Sequence, residues 1–234
     1  GAVRPEEIYI VGAHYDSVSN PGADDNASGV AGVMEAARVL SQYSFASTMV
    51  FIAFDLEEKS LLGSEAYVDA HASDDIRGMI SLDMIAYNPA GSTEDMAHIY
   101  YDDDILPPDP IPQITADLAD AMAQYSGGLS TVIERTPYEA SDHAPFADNG
   151  FEAALLIEYN VWSNPYYHKQ TDSVDTANYI DYEYATQMTR GTVGYLATAA
   201  GQVPEPGGLT LLGSGMAAVA LVLLRRRCCR LAPR

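Results

Sequence analysis

Four short, unbroken apolar runs, Ile8–Val11, Met49–Phe54, Met79–Leu82 and Ala153–Ile157, are separated by stretches of helical pattern. Runs of this length, rich in β-branched, aromatic and aliphatic residues, fit strands buried on both faces. Such strands belong to parallel sheets, whose crossover connections lay helices over both faces. Val30, Val33, Met34, Ala37 and Leu40 recur at helical spacing, with Asn26 or Ser28 placed to cap the first turn. Ile111–Tyr125 and Asp181–Ala199 read as further helices, and Ala90–Pro112, with Pro107-Pro108 and Asp102-Asp103-Asp104, as a long surface loop. The expected fold is therefore α/β, a mostly parallel central sheet between two layers of helices.

Charge and cysteine usage narrow the function. The chain has 234 residues, with Lys+Arg 12 against Asp+Glu 33 and a formal net charge of −21. Arg225, Arg226, Arg227, Arg230 and Arg234 hold five of those basic residues, and Glu205 is the only acid after Pro204, so the body is more acidic than the whole. Such a surface repels phosphate backbones and argues against nucleic-acid binding. The two cysteines, Cys228 and Cys229, are adjacent in the tail. The body thus has no disulfide framework and no thiolate ligands; a metal there must be held by His, Asp and Glu.

The last thirty residues form a separate unit. Gly207–Leu224 carries no charge and runs straight into three arginines. That length meets the roughly 17–25 residues a membrane-spanning helix needs, and the arginines would stay cytoplasmic, leaving the body on the outer side. Val203-Pro204-Glu205-Pro206 precedes the span and ends the preceding helix. The order Pro-Glu-Pro, apolar span, arginine cluster resembles the PEP-CTERM sorting signal of exported bacterial proteins. The resemblance implies export across the inner membrane, at least transient anchoring, and an exosortase-type enzyme as partner. The expected division is a catalytic domain over 1–202 and a sorting signal over 203–234, with transmembrane helix 207–224. The chain opens at Gly1 and is already in a strand by Ile8, so the domain is expected to lack an upstream part.

Acids and histidines stand just past the strand-like runs. His14-Tyr15-Asp16 follows the first, Glu57-Glu58 the second and Asp83 the third, while His168 lies beyond the fourth. In open α/β sheets, ligands bind beyond the carboxyl ends of the strands, so these scattered groups are expected to converge. His14 and Asp16, two apart in a strand, would share one face, the acid orienting the ring. Asp83 follows Ile80-Ser81-Leu82, where an acid is costly unless it is paired or binds a metal. Glu57 and Glu58, adjacent at a strand end, point different ways; one can ligate while the other handles a proton. Asp24-Asp25 feeds the helix at Val30; composition alone favours an acidic cap stabilised by the helix dipole over a carboxylate held to bridge two cations. Ser141-Asp142-His143 raises a serine-hydrolase option, but no serine stands in a nucleophile-elbow pattern. The HExxH helix and the P-loop are absent as well.

The stretches GAHYDSV, PGADDNASGVAGVMEAARVL, FIAFDLEEKSLLGSEAYV, LDMIAYN, SDHAPF and YYHKQTD, in this order, resemble the dizinc aminopeptidase family of metallopeptidases. The resemblance implies a zinc-exopeptidase-like fold and two Zn²⁺ per chain, with Co²⁺ or Mn²⁺ as possible substitutes. It places metal ligands at His14, Asp25, Glu58, Asp83 and His168, with Asp25 bridging. It further implies Glu57 as general base, Asp16 as the partner of His14, and Tyr167 as a stabiliser of the oxyanion. Asp142 and His143 receive no role, and His71 and His98 have no motif around them. The activity implied is removal of residues one at a time from peptide N-termini. A carboxypeptidase or dipeptidase, a glutaminyl cyclase and a catalytically silent binding ectodomain remain as alternatives.

Overall fold

A computed structural model describes residues 1–89, 95–101, 111–135, 141–159 and 161–204. Each of the four apolar runs is a strand, extended by flanking residues: β1 (Arg4–His14), β2 (Ser47–Phe54), β3 (Asp75–Asp83) and β6 (Ala153–Glu158). Two more strands join them, β4 (Met96–Tyr101) and β5 (Ser130–Arg135), and the sheet order is β2-β1-β3-β6-β4-β5. Neighbours run parallel except β4 against β6, so the sheet is mixed and mostly parallel, as expected.

Strand alternation sends successive side chains to opposite layers. Val11, Ile80 and Leu82 face one core, built with Val33 and Leu40 of α1 (Ala27–Leu40), Leu118 and Met122 of α3 (Gln113–Tyr125), and Met188 and Leu196 of α5 (Tyr182–Ala199). Ile10 and Met79 face the other, closed by Val68 of α2 (Leu62–His71) and Phe146 of α4 (Ala144–Asp148). The helices read from sequence are present: Asn26 caps α1 by accepting from the Gly29 N–H, and Asp181 caps α5 by accepting from Glu183 and Tyr184.

One expectation is corrected. Ala90–Pro112 is not all loop, because β4 lies within it; residues 90–94 and 102–110 are outside the described residues. In β4 only Ala97 and Ile99 are buried, in alternation with partly exposed His98 and Tyr100, so it carries no continuous apolar run. β5 escaped notice for the same reason, having no fully buried residue. Apart from Val203-Pro204, the sorting motif, the proposed span 207–224 and the arginine cluster also fall outside the described residues; among the described residues no helix is long and apolar enough to cross a membrane.

Register then sets up the site. His14 pairs with Phe54 at the end of β2, and the last pair of β1 with β3, Gly12 with Ser81, leaves His14 and Asp83 two residues further on. Three adjacent strands thus finish level with one another. Helix α1 starts against that edge because Gly29 allows it: a Cβ there would sit 2.3 Å from the Leu82 carbonyl oxygen and 2.4 Å from Asn26 Oδ1. Gly29→Ala is therefore expected to destabilise the fold by about 1–3 kcal/mol, the usual range for overpacking. Urea unfolding checks this; an unchanged midpoint would contradict the close approach.

Candidate metal centre

Four acids, Asp25, Glu57, Glu58 and Asp83, and two histidines, His14 and His168, meet where β1, β2 and β3 end. His14, the last residue of β1, is buried. Its Nδ1 lies 3.1 Å from the Asp16 carbonyl oxygen; a carbonyl only accepts, so Nδ1 carries a proton there and Nε2 is the nitrogen turned toward the acids. Nε2 faces Asp25 Oδ1 at 3.4 Å and Asp83 Oδ1 at 3.5 Å. On the other side of Asp25, His168 Nε2 faces Asp25 Oδ2 at 3.1 Å and Glu58 Oε2 at 3.5 Å. Two three-residue donor groups result, His14-Asp25-Asp83 and Asp25-Glu58-His168, and they share Asp25. All five sequence-predicted ligands are brought together, Asp25 between the others.

The spacing permits a test of the zinc expectation. Ligands held tetrahedrally at about 2.0–2.1 Å from zinc must stand about 3.3–3.4 Å from one another. The four nitrogen-to-oxygen separations, 3.1 to 3.5 Å, bracket that value. Asp25 Oδ2, Glu58 Oε1 and Asp83 Oδ1 are buried and accept no hydrogen bond. Charge agrees: burial, then Asp83 and Glu58, push Asp25 up to about 8, and burial with Asp83 pushes Glu57 up to about 9. Burial alone would lower His14, but Asp83, Glu57 and Asp25 outweigh it and raise it to about 11. Buried oxygens that lack donors and acids that repel one another are what a divalent cation relieves. The residues fit the ion.

The surrounding residues hold this arrangement rather than join it. β1 ends at His14, so Asp16 lies outside the strand and the alternation argument for it does not apply. Asp16 reaches His14 chiefly through its backbone carbonyl, its carboxylate being 3.6 Å from Nδ1. That carboxylate accepts from the backbone N–H groups of Glu57 and Glu58, at 3.1 and 3.2 Å. It thereby orients the 3₁₀ turn Glu57–Lys59, which Leu56 enters in the left-handed region. The turn separates the two glutamates: Glu58 joins the His168 group, while Glu57 Oε2 stays 3.9 Å from His14 Nε2, on the cleft side.

Three positioning residues, Asp172, Asn164 and Glu158, have no role in the sequence reading, and Asn26, read there only as a helix cap, has a second one. Asp172 accepts from the backbone N–H groups of Asp24 (2.8 Å) and Asp25 (3.3 Å), and the Tyr179 hydroxyl donates to it. Asn26 donates to the Leu82 carbonyl and accepts from Met84 N–H, locking the Asp25 loop to the end of β3. Asn164 donates to both Glu158 and Asp24, two fully buried acids whose pKa values burial raises, Asp24 to about 6. Glu158 ends β6 as Asp83 ends β3, the same signal of an acid closing an apolar strand, and could have been found by it.

A cleft of about 810 Å³ opens over the centre, with Met84, Leu155, Ile157 and Val161 as an apolar floor. Tyr167 lines it and stacks on His168, the ring centroids 3.9 Å apart. Burial, then Asp25 and Asp83, raise its phenol pKa, so the hydroxyl remains a donor at neutral pH. His168 itself adopts φ 56, a sparsely populated conformation held by the turn around it. Asp142 and His143 are fully buried and belong to neither donor group; burial pushes Asp142 up to about 7 and His143 down to about 4. His71 pairs with Asp74 and His98 with Glu134, both outside the donor groups.

The model of Peptidase family M28 matches residues 1–194. Leucine aminopeptidase 1 of Arthroderma otae is 29% identical over 214 residues, covering 84% of this chain and 56% of the relative. An aminopeptidase from Aneurinibacillus sp. strain AM-1 superposes with a TM-score of 0.69 at 32% identity, covering 87% of this chain and 47% of that one. BSAP, a zinc aminopeptidase from Bacillus subtilis, gives a TM-score of 0.70 at 29% identity over 86% of this chain and 47% of its own. The chain thus spans about half the length of the relatives it matches.

Sharing of Asp25 has a measurable consequence. Asp25→Ala is expected to abolish zinc binding at both donor groups, whereas Glu58→Ala should weaken only the group containing His168. Titration with a chromophoric zinc chelator distinguishes them; equal losses in the two variants would contradict a bridging Asp25.

Proposed function

The chain belongs to peptidase family M28, and on that premise we propose that it acts as a metal-dependent aminopeptidase. The observation that carries the reading is the pair of donor groups sharing Asp25 along the wall of a cleft, with Glu57 beside them. Two zinc ions, one held by His14, Asp25 and Asp83 and the other by Asp25, Glu58 and His168, would supply Lewis acidity toward the scissile carbonyl and acidify water.

The chain's own residues complete the chemistry. Glu57 takes a proton from the attacking water and passes it to the leaving amine, a role that suits a carboxylate whose burial has raised its pKa. Tyr167, a persistent donor beside His168, hydrogen-bonds the substrate oxygen as negative charge develops on it. Asp16 is a positioning residue, holding the Glu57–Glu58 turn and the His14 ring in one network. Membership of this family implies that a free α-ammonium group is held near the metal-site acids, which supports cleavage at the N-terminus rather than the C-terminus. Export and membrane attachment are proposed from the sequence of the tail alone.

Zinc-loaded protein is expected to release leucine from Leu-p-nitroanilide but not from its N-acetylated form, and to lose activity to a chelator. Glu57→Ala should keep its zinc, measured by elemental analysis, while kcat falls about 10²- to 10⁴-fold. Unchanged turnover would remove Glu57 from the base role, and cleavage of the acetylated substrate would contradict an aminopeptidase.

A further inference from the structure

Trp162 is the only tryptophan in the chain and is 77% exposed, although it lines the same cleft as the metal-ligating groups. An aromatic side chain offers a large apolar contact area, so one fixed at the mouth of a cleft is available to cover an apolar part of a ligand. This one is held in place. It sits in the turn Val161–Ser163; Val161 is buried in the apolar floor and the Asn164 N–H closes the turn on the Val161 carbonyl at 3.1 Å. Asn164 is tied in turn to Glu158 and Asp24, the network behind Asp25.

The Trp162 ring lies edge-on to Tyr167, centroids 6.2 Å apart and planes at 84°, and Tyr167 stacks on His168. It is therefore one aromatic layer out from a metal-ligating histidine. The buried floor of Met84, Leu155, Ile157 and Val161 is the enclosed place for the side chain of the N-terminal residue. The next residue along a substrate is displaced outward by about 3.8 Å per Cα, away from the floor and toward solvent. Among the described residues lining the cleft, Trp162 is the one large apolar side chain left mostly exposed.

We propose that Trp162 forms the subsite for the residue following the scissile bond and selects a large apolar or aromatic side chain at that position. The inference rests on the aminopeptidase reading and adds to it a preference on the leaving side.

Two measurements test it on the full chain. In steady-state kinetics with zinc-loaded protein, kcat/KM for Leu-Phe-amide is expected to exceed that for Leu-Gly-amide by about tenfold or more. Trp162→Ala should bring the ratio near one mainly by raising KM for Leu-Phe-amide, with Leu-Gly-amide little changed, and Trp162→Phe should keep most of the preference. As the sole tryptophan, Trp162 also reports directly: emission of the slow Glu57→Ala protein should shift to the blue with Leu-Phe-amide more than with Leu-Gly-amide. A ratio that Trp162→Ala leaves intact, or emission that neither peptide moves, overturns the subsite in an active enzyme. Emission already blue and shielded from acrylamide in the free protein overturns it too, as the ring is then covered by something other than substrate. Release of leucine from neither peptide by zinc-loaded wild type defeats the aminopeptidase reading itself and the subsite with it.

Discussion

Mutual repulsion among buried carboxylates is the constraint around which this molecule is arranged. Asp25, Glu57, Glu58 and Asp83 are drawn to one point where three parallel strands finish, and three of their oxygens accept no hydrogen bond. Burying such charges costs several kcal/mol each unless something positive or a donor meets them. Two histidines are too few. A divalent cation at each donor group would convert the repulsion into ligation, and the 3.1–3.5 Å spacings suit tetrahedral ligands better than direct hydrogen bonds, which centre near 2.9–3.0 Å.

The cost of holding the acids together falls on a shell of backbone hydrogen bonds. Asp172 grips the Asp24–Asp25 backbone, Asn26 joins that loop to the end of β3, and Asp16 draws in the Glu57–Glu58 turn. Each of these polar side chains accepts or donates to main chain, so each sets the direction of a ligand without ligating. The same network continues through Asn164 to the turn carrying Trp162, which links the geometry of the metal centre to the shape of the cleft mouth.

Much of this was legible in the sequence, for identifiable reasons. Strands buried on both faces announce themselves as unbroken apolar runs, and an acid or histidine directly after one is conspicuous. Glu57, Glu58 and Asp83 were visible on that ground, and the family resemblance ordered the whole ligand set. β4 and β5 were not visible, because strands with alternating or partial burial look like loops in composition. Nor was Asp172, which lies 148 residues from the Asp24 amide it holds; no local pattern reports a partner at that distance. Asp16 shows the limit of periodicity: the strand stops two residues before it, and its function passes from ring orientation alone to the backbone of the next turn.

The central claim is that Asp25 joins two metal ions into one centre. Anomalous diffraction at the zinc absorption edge from crystals of the zinc-loaded protein tests it most directly. The account predicts two peaks about 3.5–4 Å apart, one on each oxygen of Asp25, the first beside His14 and Asp83 and the second beside Glu58 and His168. A single peak, or zinc bound away from Asp25, would contradict it.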